Sequence, residues 1–506
     1  MSDITNMQGS RRGFLQGLLA GGGLVVATGF ATSKVFANNN LLEGELELDL
    51  FLRIDSKGLI TILTHRSEMG TGIRSTLPLV VADELDATMD TLNIVQAIGD
   101  PRLGDQNTDG SRSILQYYPI MRKLGATART MLEMAAAETW GVPIAEVHTE
   151  LNAIHHSDGR SLSFGELAAK ASQQQRPEPE TLTFKSPEKW RYVGKHNKTL
   201  DLRDHTVGKG QFGLDVKIDG MLHAVIAHCP VLGGKWKKYD DKKALAIPGV
   251  IQVVEMPFAK APFNFKPLGG LAVIATSTYA AMRGRDALEV EWENGANESY
   301  DSAAFRAGME EEVNKPNKII AEKGDLDQAM KTASQVLKAD YYLPHLSHAP
   351  METPCAVAHA TEDGCELWAP TQNPQAVMET VGSTLGMQPD QITCNVTLLG
   401  GGFGRKSKPD YCAEAAWLSR ELKKPVQVFW TREDDLRHDY LHSVAAMHLE
   451  GGLDANGRPV AWLGRTAFPT IMSTFMPNQD HGAGGEWGMG FAYLPFPVEN
   501  IRLEAG

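Results

Sequence analysis

Three times along this chain, a short apolar run leads into a glycine-bearing loop that opens a helix. The loops are Met69-Gly70-Thr71-Gly72, residues 108–113 and residues 400–406. The N–H groups at a helix start and the helix dipole favour an anion, and glycine lets the backbone approach it closely. Three such loops suggest a large ligand, multiply anionic or pterin-like, that is held at several points.

The third loop also allows a nucleotide-binding alternative. Gly400, Gly402 and Gly404, followed by a helix, a strand at 426–430 and Glu433, imitate a dinucleotide-binding fold. The spacing differs from G-x-G-x-x-G, however, and the sequence shows no second mononucleotide-binding half. A nucleotide-dependent exported oxidoreductase therefore ranks below the first interpretation.

Residues 1–37 are typical of a twin-arginine export signal. Arg11 and Arg12 precede an apolar stretch at 18–31, and Val35-Phe36-Ala37 offers a signal peptidase site. A transmembrane anchor needs about 20 consecutive apolar residues, and this stretch is shorter and interrupted by glycines. We therefore expect a periplasmic protein that acquires a cofactor before export and has no stable membrane anchor.

Composition argues against several other classes of protein. A net charge of −13 disfavours nucleic acid as a partner. The cysteines are scattered without a C-x-x-C pair, which argues against an iron–sulfur cluster or zinc ribbon held by this chain. Their odd number argues against a disulfide framework, so buried thiols are expected. The five are Cys229, Cys355, Cys365, Cys394 and Cys412.

Hydrophobic patterning predicts an α+β fold. Alternation over residues 46–54 predicts a strand with one solvent-facing side. Helices are predicted at 75–85, 113–140, 278–285 and 410–423, and further strands at 59–64, 221–227, 271–275, 288–292, 356–359, 392–399 and 426–430. A polar, proline-bearing linker is expected at 173–179, and the charged stretch 294–325 is expected to separate two regions.

Several short motifs occur together in this chain. Residues 400–406 are GGGFGRK, 67–72 are SEMGTG, 348–352 are HAPME, 371–374 are TQNP and 431–435 are TREDD. Together they resemble the large, molybdopterin-binding subunit of the xanthine oxidase family. Within that family the likeness is greatest to the isoquinoline 1-oxidoreductase β subunit and periplasmic aldehyde dehydrogenase large subunits. It runs from about residue 46 to the C-terminus.

The resemblance implies a set of cofactor contacts. The backbone of the G-G-G-F-G loop, here Gly401, Gly402 and Phe403, would contact the molybdenum oxygens, and Gln372 would hydrogen-bond an oxo ligand. The E-M-G-Q-G loop would contact the pterin dithiolene and phosphate through Met69, Gly70 and Thr71. A serine-rich helix start would cradle the phosphate or nucleotide, through Gly110, Ser111 and Ser113.

The resemblance also implies a domain order. Residues 38–180 would be a permuted N-terminal part of the second molybdopterin-binding domain, and 200–295 a hammerhead-like α/β domain. Residues 320–506 would hold the first molybdopterin-binding domain and the start of a truncated remainder, leaving the second molybdopterin-binding domain incomplete.

Three departures from the family pattern qualify these expectations. Thr71 replaces a glutamine that bonds the cofactor, and Ser407 replaces a substrate-binding carboxylate, which disfavours purines. The family's general base, the glutamate of a G-x-G-E motif, has no counterpart before Gly506. We therefore expect a truncated chain or a separately encoded remainder, and no catalytic residue within this sequence.

The function implied is that of the molybdopterin-binding subunit of an exported molybdenum hydroxylase. It would oxidise an aldehyde or an N-heterocycle with water as the oxygen source, using molybdenum on a molybdopterin cytosine dinucleotide. A partner subunit would carry the [2Fe–2S] clusters, and a cytochrome c could follow it. No metal ligation by side chains is expected, although His345, His348 and His359 invite it. The alternative from another class is a non-catalytic, truncated chain that only binds its partner.

Overall fold

A computed structural model of the chain describes residues 24–26 (backbone alone), 51–477, 479–488 and 490–506. The predicted export signal and the alternation at 46–50 lie outside the described residues, apart from the strand Leu24–Val26. The described part combines helices with sheets of parallel and antiparallel strands, which confirms the α+β class. It divides into two compact units, Met1–Lys217 with Thr361–Lys408, and Ile218–Ala360 with Pro409–Gly506.

The first unit contains a four-stranded sheet. Its strands are hydrogen-bonded in the order Leu24–Val26, Leu52–Ile54, Ile60–Thr64 and Leu92–Gln96. The first two pairings are antiparallel and the last is parallel. The unit's other strands are the antiparallel set Val147–Glu150, Ala153–His156 and Ser161–Ser163, and the parallel pair Cys365–Ala369 and Ile392–Val396.

Two long helices share one apolar core with this sheet. Helix Arg112–Trp140 ends where Gly141 adopts φ 68°, a left-handed conformation that favours glycine. Ile60 and Ile62 from the sheet are buried in the same cluster as Val81 and Leu124 from the helices. Each such side chain stabilises the fold by about 1.5–3 kcal/mol. The helices of this unit are Ile73–Leu85, Arg112–Trp140, Phe164–Ala171, Leu202–Thr206 and Pro374–Leu385.

Buried carboxylates hold the segment 183–193 against the long helices. The Asp83 carboxylate accepts the backbone N–H groups of residues 191–193 at 2.6–3.2 Å. The neighbouring Glu84 carboxylate accepts Nε of Arg122 at 2.7 Å. Three aromatic rings surround the same guanidinium, those of Tyr118, Phe184 and Trp190. The segment thus replaces water around two carboxylates that helix Ile73–Leu85 buries.

The second unit contains two groups of five hydrogen-bonded strands. In order, the first is Val250–Met256, Gly270–Ala275, Leu222–Ala227, Val426–Phe429 and Cys355–Ala360, and the second is Lys318–Lys323, Asn500–Ala505, Pro459–Ala467, Ala445–Leu453 and Gln335–Leu343. Lys235–Asp240 pairs with Glu289–Glu293. The helices are Lys242–Leu245, Thr278–Asp286, Ser302–Val313, Leu326–Thr332, Asp410–Leu422, Arg432–Arg437 and Gly484–Trp487.

The charged stretch 294–325 is ordered and forms part of the second unit. It contains helix Ser302–Val313, whose start is capped because the Asp301 side chain accepts the N–H of Ala304 at 2.8 Å. Met309 and Val313 bury one face of that helix. Strand Lys318–Lys323 follows. Elsewhere the predicted strand 392–399 ends earlier, at Val396.

The charge run after Thr431 opens helix Arg432–Arg437. Thr431 accepts the N–H of Asp434, and Asp434 accepts the N–H of Thr431 at 2.9 Å, forming a capping box. The domain segments 38–180, 200–295 and 320–506 stay predictions. Within the residues that the structure describes, no helix combines the length and apolar composition needed to cross a bilayer.

Candidate cofactor site

Gln372 joins the second and third glycine loops. Its side chain is 1% exposed, and its Nε2 donates to the backbone oxygen of Thr108 at 2.7 Å. Its Oε1 accepts the N–H of Gly404 at 2.9 Å. The main chain repeats both connections, because Thr108 N–H donates to Gln372 O and Gln372 N–H donates to Lys406 O, each at 2.9 Å. Gln372 is therefore fixed in position by four hydrogen bonds, two from its side-chain amide and two from its backbone.

The first loop is attached to the other two at its base. Ser67 N–H donates to Oγ1 of Thr108 at 2.9 Å, and Leu399 N–H donates to the backbone oxygen of Glu68 at 3.0 Å. Three loops that are far apart in sequence therefore meet within the first unit. All ten residues predicted to bind the cofactor lie in this unit, and their individual roles stay predictions.

Gly402 is required by close packing beside Gln372. A Cβ atom at this position would lie 2.4 Å from Oε1 of Gln372, far inside van der Waals contact. The following residue, Phe403, has φ 53° and is 67% exposed. A left-handed conformation costs a non-glycine residue roughly 1 kcal/mol or more, and such strain clusters at functional sites. The loop thus presents an aromatic ring on a strained backbone.

The second loop presents two exposed residues and one buried one. Ser111 has φ 55°, precedes helix Arg112–Trp140 and makes no side-chain cap bond. Gly110 is also exposed, whereas Ser113 is 9% exposed. The Arg112 guanidinium is paired with Asp109, whose hydrogen bond raises the pKa of Arg112. The positive charge beside Ser111 is therefore balanced by a carboxylate of the same loop.

At the first loop, the N–H groups near the helix start were expected to be available to an anionic ligand, and this expectation is wrong. Oε1 of Glu68 accepts the N–H groups of Gly70 and Gly72 at 2.8 and 3.0 Å, and Oε2 accepts that of Arg74 at 3.0 Å. These donors cap helix Ile73–Leu85 internally instead of facing a ligand anion. Met69 is half-buried, and Gly70 and Thr71 are exposed.

The third loop does not open a helix directly. It continues into the three-residue 3₁₀ turn Arg405–Ser407, and helix Asp410–Leu422 belongs to the second unit. The helix and strand of the dinucleotide-binding alternative are present, but the helix does not begin at Gly404, so its N-terminus does not adjoin the glycines as it does in a dinucleotide-binding fold. Ser407 is hydrogen-bonded, with its Oγ 3.1 Å from Oδ1 of Asn107.

His345 and His348 have ordinary structural partners, and the cysteines are buried. His348 pairs with Asp439 at 3.0 Å, and His345 lies 3.0 Å from the Tyr300 hydroxyl. In the described ranges, no three His, Cys, Asp or Glu side chains converge as metal ligands. All five cysteines are buried thiols, as predicted, and none forms a disulfide in the part of the chain that the structure describes. Burial raises the pKa of Cys365 and of Cys394 to about 12, which makes both thiols inert.

The sequence does not predict the structural roles of three further residues in this region, Thr108, Glu68 and His65. Thr108 has no local signal, because its partner Gln372 is 264 residues away. Glu68 stands in the SEMGTG motif, and an acidic residue just before a helix start signals a cap. His65 is 1% exposed, and both of its ring nitrogens are without a hydrogen-bond partner in the described structure. Burial, with the nearby Arg66, lowers the pKa of His65 to about 3.

Two features of these loops fit a flat ligand with several heteroatoms. Gln372 Nε2 carries two hydrogens, and the described structure uses one of them, on Thr108. A Cβ atom added at Gly70 would have no neighbour within 4 Å, so that loop has an open side. A pterin offers heteroatoms and flat faces that suit amide donors and closely approaching glycine backbone. The residues present therefore fit a pterin.

Comparison with known families agrees with this fit. Two family models, both described as a molybdopterin cofactor-binding domain, match residues 13–224 and 311–467. The beta subunit of isoquinoline 1-oxidoreductase from Brevundimonas diminuta is 27% identical, with the alignment covering 97% of this chain and 69% of that protein. A nicotinate dehydrogenase subunit from Pseudomonas putida is 28% identical, over 84% of this chain and 36% of that protein.

A third relative carries a different cofactor in its name. The membrane-bound aldehyde dehydrogenase [pyrroloquinoline-quinone] of Gluconacetobacter polyoxogenes is 30% identical, over 89% of this chain and 59% of that protein. Among solved structures, the CO dehydrogenase of Oligotropha carboxidovorans aligns with a TM-score of 0.47 and 21% identity, covering 62% of this chain and 44% of that one. The chain thus spans between about one third and two thirds of the length of the three named relatives.

Proposed function

This chain belongs to the molybdopterin-binding large subunits of the xanthine oxidase family, and we propose that it holds the cofactor of a molybdenum hydroxylase acting on an aldehyde or an N-heterocycle. The observation that carries the proposal is the buried amide of Gln372, which fastens two glycine loops together and retains an N–H for a ligand. When bound, the molybdenum cofactor supplies two-electron oxidation with an oxygen atom from water.

The chain's own contribution is binding and orientation. Gly401, Gly402 and Phe403 would approach the metal end of the cofactor through their backbone, with Gln372 donating from the side. Met69, Gly70 and Thr71 would contact the pterin, and Gly110 and Ser111 a phosphate. Ser407, bonded to Asn107, would present no charge to a substrate, which suits neutral aldehydes and heterocycles better than purines.

The positions of the cysteines support separate partner chains for electron transfer. Five buried, scattered cysteines offer no cluster ligands in the described residues, so a separate [2Fe–2S] subunit would remove the electrons, with a cytochrome c beyond it. Two relatives are named as subunits, which supports an assembly of several chains. The twin-arginine signal and a cytosine dinucleotide form of the cofactor belong to the same proposal.

Cofactor analysis of the purified full chain, co-expressed with its partner, tests the proposal. We expect about one molybdenum and one pterin per chain, with cytidine monophosphate released on mild acid hydrolysis. Bound flavin, NAD or pyrroloquinoline quinone in place of a pterin would contradict it. A cofactor-free chain that still binds its partner would favour the non-catalytic alternative.

A pair of glutamine variants tests the site itself. Gln372→Leu removes both side-chain bonds, and we expect the pterin content to fall by about tenfold or more. Gln375→Leu is the matched control, because Gln375 also bonds a backbone oxygen, that of Gly104 at 2.8 Å, in the same unit. We expect that variant to keep its pterin. Equal losses in both variants would argue against a specific role for Gln372.

A further inference from the structure

The carboxylate of Glu68 occupies a position where an anion would otherwise bind. It is 8% exposed and accepts three backbone N–H groups, those of Gly70, Gly72 and Arg74, at 2.8–3.0 Å. Two of these donors belong to the glycine loop itself and the third to the first turn of helix Ile73–Leu85. Hydrogen bonds to an ionised acceptor are about twice as strong as neutral ones. One side chain therefore fixes the path of the whole loop.

The backbone of the same residue is anchored to the rest of the site. Leu399 N–H donates to Glu68 O at 3.0 Å, just before the third loop begins. Ser67 N–H donates to the Thr108 hydroxyl at 2.9 Å, just before the second loop. The loop that Glu68 organises is consequently held in a fixed position relative to both other loops.

The outward side of this loop is open. Thr71 is exposed, and a Cβ atom added at Gly70 would meet nothing within 4 Å. Gly70 has φ 97°, a conformation that few other residues adopt. The hydrogen bonds to Glu68 thus hold the loop from its inner side, and its outer side faces open space. A site that is ordered before binding avoids the entropy cost of ordering it during binding.

We propose that Glu68 is a positioning residue that pre-forms loop 69–72 for the pterin, its carboxylate serving as the built-in anion of the helix start. The inference rests on the proposed function, since it names how one of the cofactor loops is prepared. A second consequence is chemical: with the N–H groups of Gly70 and Gly72 bound to Glu68, this loop meets an uncharged part of the ligand, and phosphate contacts fall to other loops.

Amide hydrogen exchange on the full chain, with and without cofactor, tests the proposal together with pterin retention. In Glu68→Gln, an amide N–H replaces one acceptor oxygen. We expect exchange in peptides covering residues 69–74 of the cofactor-free protein to speed up by about tenfold or more. We expect the pterin to dissociate faster during gel filtration by a similar factor.

Asp83→Asn is the matched control. Asp83 lies near the other end of the same helix and also accepts three backbone N–H groups, those of residues 191–193. We expect this variant to speed exchange at 191–193 only and to retain its pterin as the wild type does. Each variant removes a buried carboxylate at one end of helix Ile73–Leu85, Glu68 just before it and Asp83 within it, so general destabilisation of the helix would appear in both.

The outcomes separate this inference from the proposed function. Unchanged exchange at 69–74 in Glu68→Gln overturns the positioning role, as does faster exchange with normal pterin retention. Pterin loss in Asp83→Asn as large as in Glu68→Gln also overturns it. A wild-type chain that contains no pterin overturns both the proposed function and the role of Glu68 toward the cofactor.

Discussion

Gly402 leaves no room for a side chain beside Gln372, so Gly402→Ala should damage the site. The added Cβ, 2.4 Å from Oε1 of Gln372, must displace a buried amide from Thr108 and Gly404. Overpacking of this kind typically costs about 1–3 kcal/mol. We expect a lower urea midpoint and loss of most of the pterin.

Gly308→Ala is the control for that substitution. Gly308 lies inside helix Ser302–Val313, and a Cβ there has no neighbour within 4 Å. Alanine is favoured over glycine in a helix by about 1 kcal/mol, so this variant should be neutral or more stable. If the Gly402→Ala protein had normal stability and pterin content, the Gln372 side chain could move aside without affecting the fold or the cofactor, which would contradict this prediction.

His65 makes the first unit sensitive to acid. Its pKa is about 3 in the folded chain, because of burial and then Arg66, against an ordinary value of 6.5 in the unfolded chain. Below pH 6.5, His65 takes up a proton in the unfolded chain but not in the folded one. Its effect on the free energy of unfolding is therefore absent well above pH 6.5, and stability falls as the pH decreases toward 3. Linkage gives a loss of about 2 kcal/mol between pH 6.5 and pH 5 from this residue.

His65→Phe should remove that share of the acid sensitivity. The imidazole packs between Phe51 and Tyr117, with ring centroids 5.1 and 4.1 Å away, so an aromatic replacement suits its surroundings. Urea denaturation of wild type and variant at pH 7 and pH 5 measures the difference in slope. An identical pH dependence in both proteins would show that His65 is hydrated or paired.

At the scale of elements, Arg122 fastens segment 183–193 to the long helices. Arg122→Ala leaves the buried Glu84 carboxylate with Arg129 and one backbone N–H as partners. Removing one partner of a buried pair is strongly destabilising, and here we expect about 2–3 kcal/mol because those partners remain. Exchange of the segment's amides should speed up. Lys242→Ala, which breaks the exposed pair with Asp240, should leave the free energy of unfolding nearly unchanged.

The elements that sequence predicts well are those with local signals. Helix Arg112–Trp140 begins one residue before its predicted start and ends at the predicted tryptophan, because Gly141 is its stop. Helix Ser302–Val313 escapes prediction because only Met309 and Val313 bury a face within a charged run. The sequence predicts the site only as separate loops. One bond that joins them, from Gln372 to Thr108, links residues 264 positions apart, and no local pattern reports such a pairing.

For the whole molecule, thiol reactivity should report folding. All five cysteines are buried, so the native chain should react with less than one maleimide in the time that urea-unfolded chain reacts with five. Cys365 and Cys394 lie in the first unit, and the other three lie in the second. Mass spectrometry at intermediate urea should therefore show which unit opens first. Rapid native labelling would contradict the burial of these thiols.

The interleaved order of the two units has a consequence for synthesis on the ribosome. The loops at 69–72 and 108–113 emerge long before Gln372 and Gly402, since the chain first passes through residues 218–360. At about 5–20 residues per second that delay is roughly 15–60 s. During this interval the early loops lack the partners that fix them. A ligand that needs all three loops can be captured only after the ribosome has passed the third, so assembly of the site is a late event in the making of this protein.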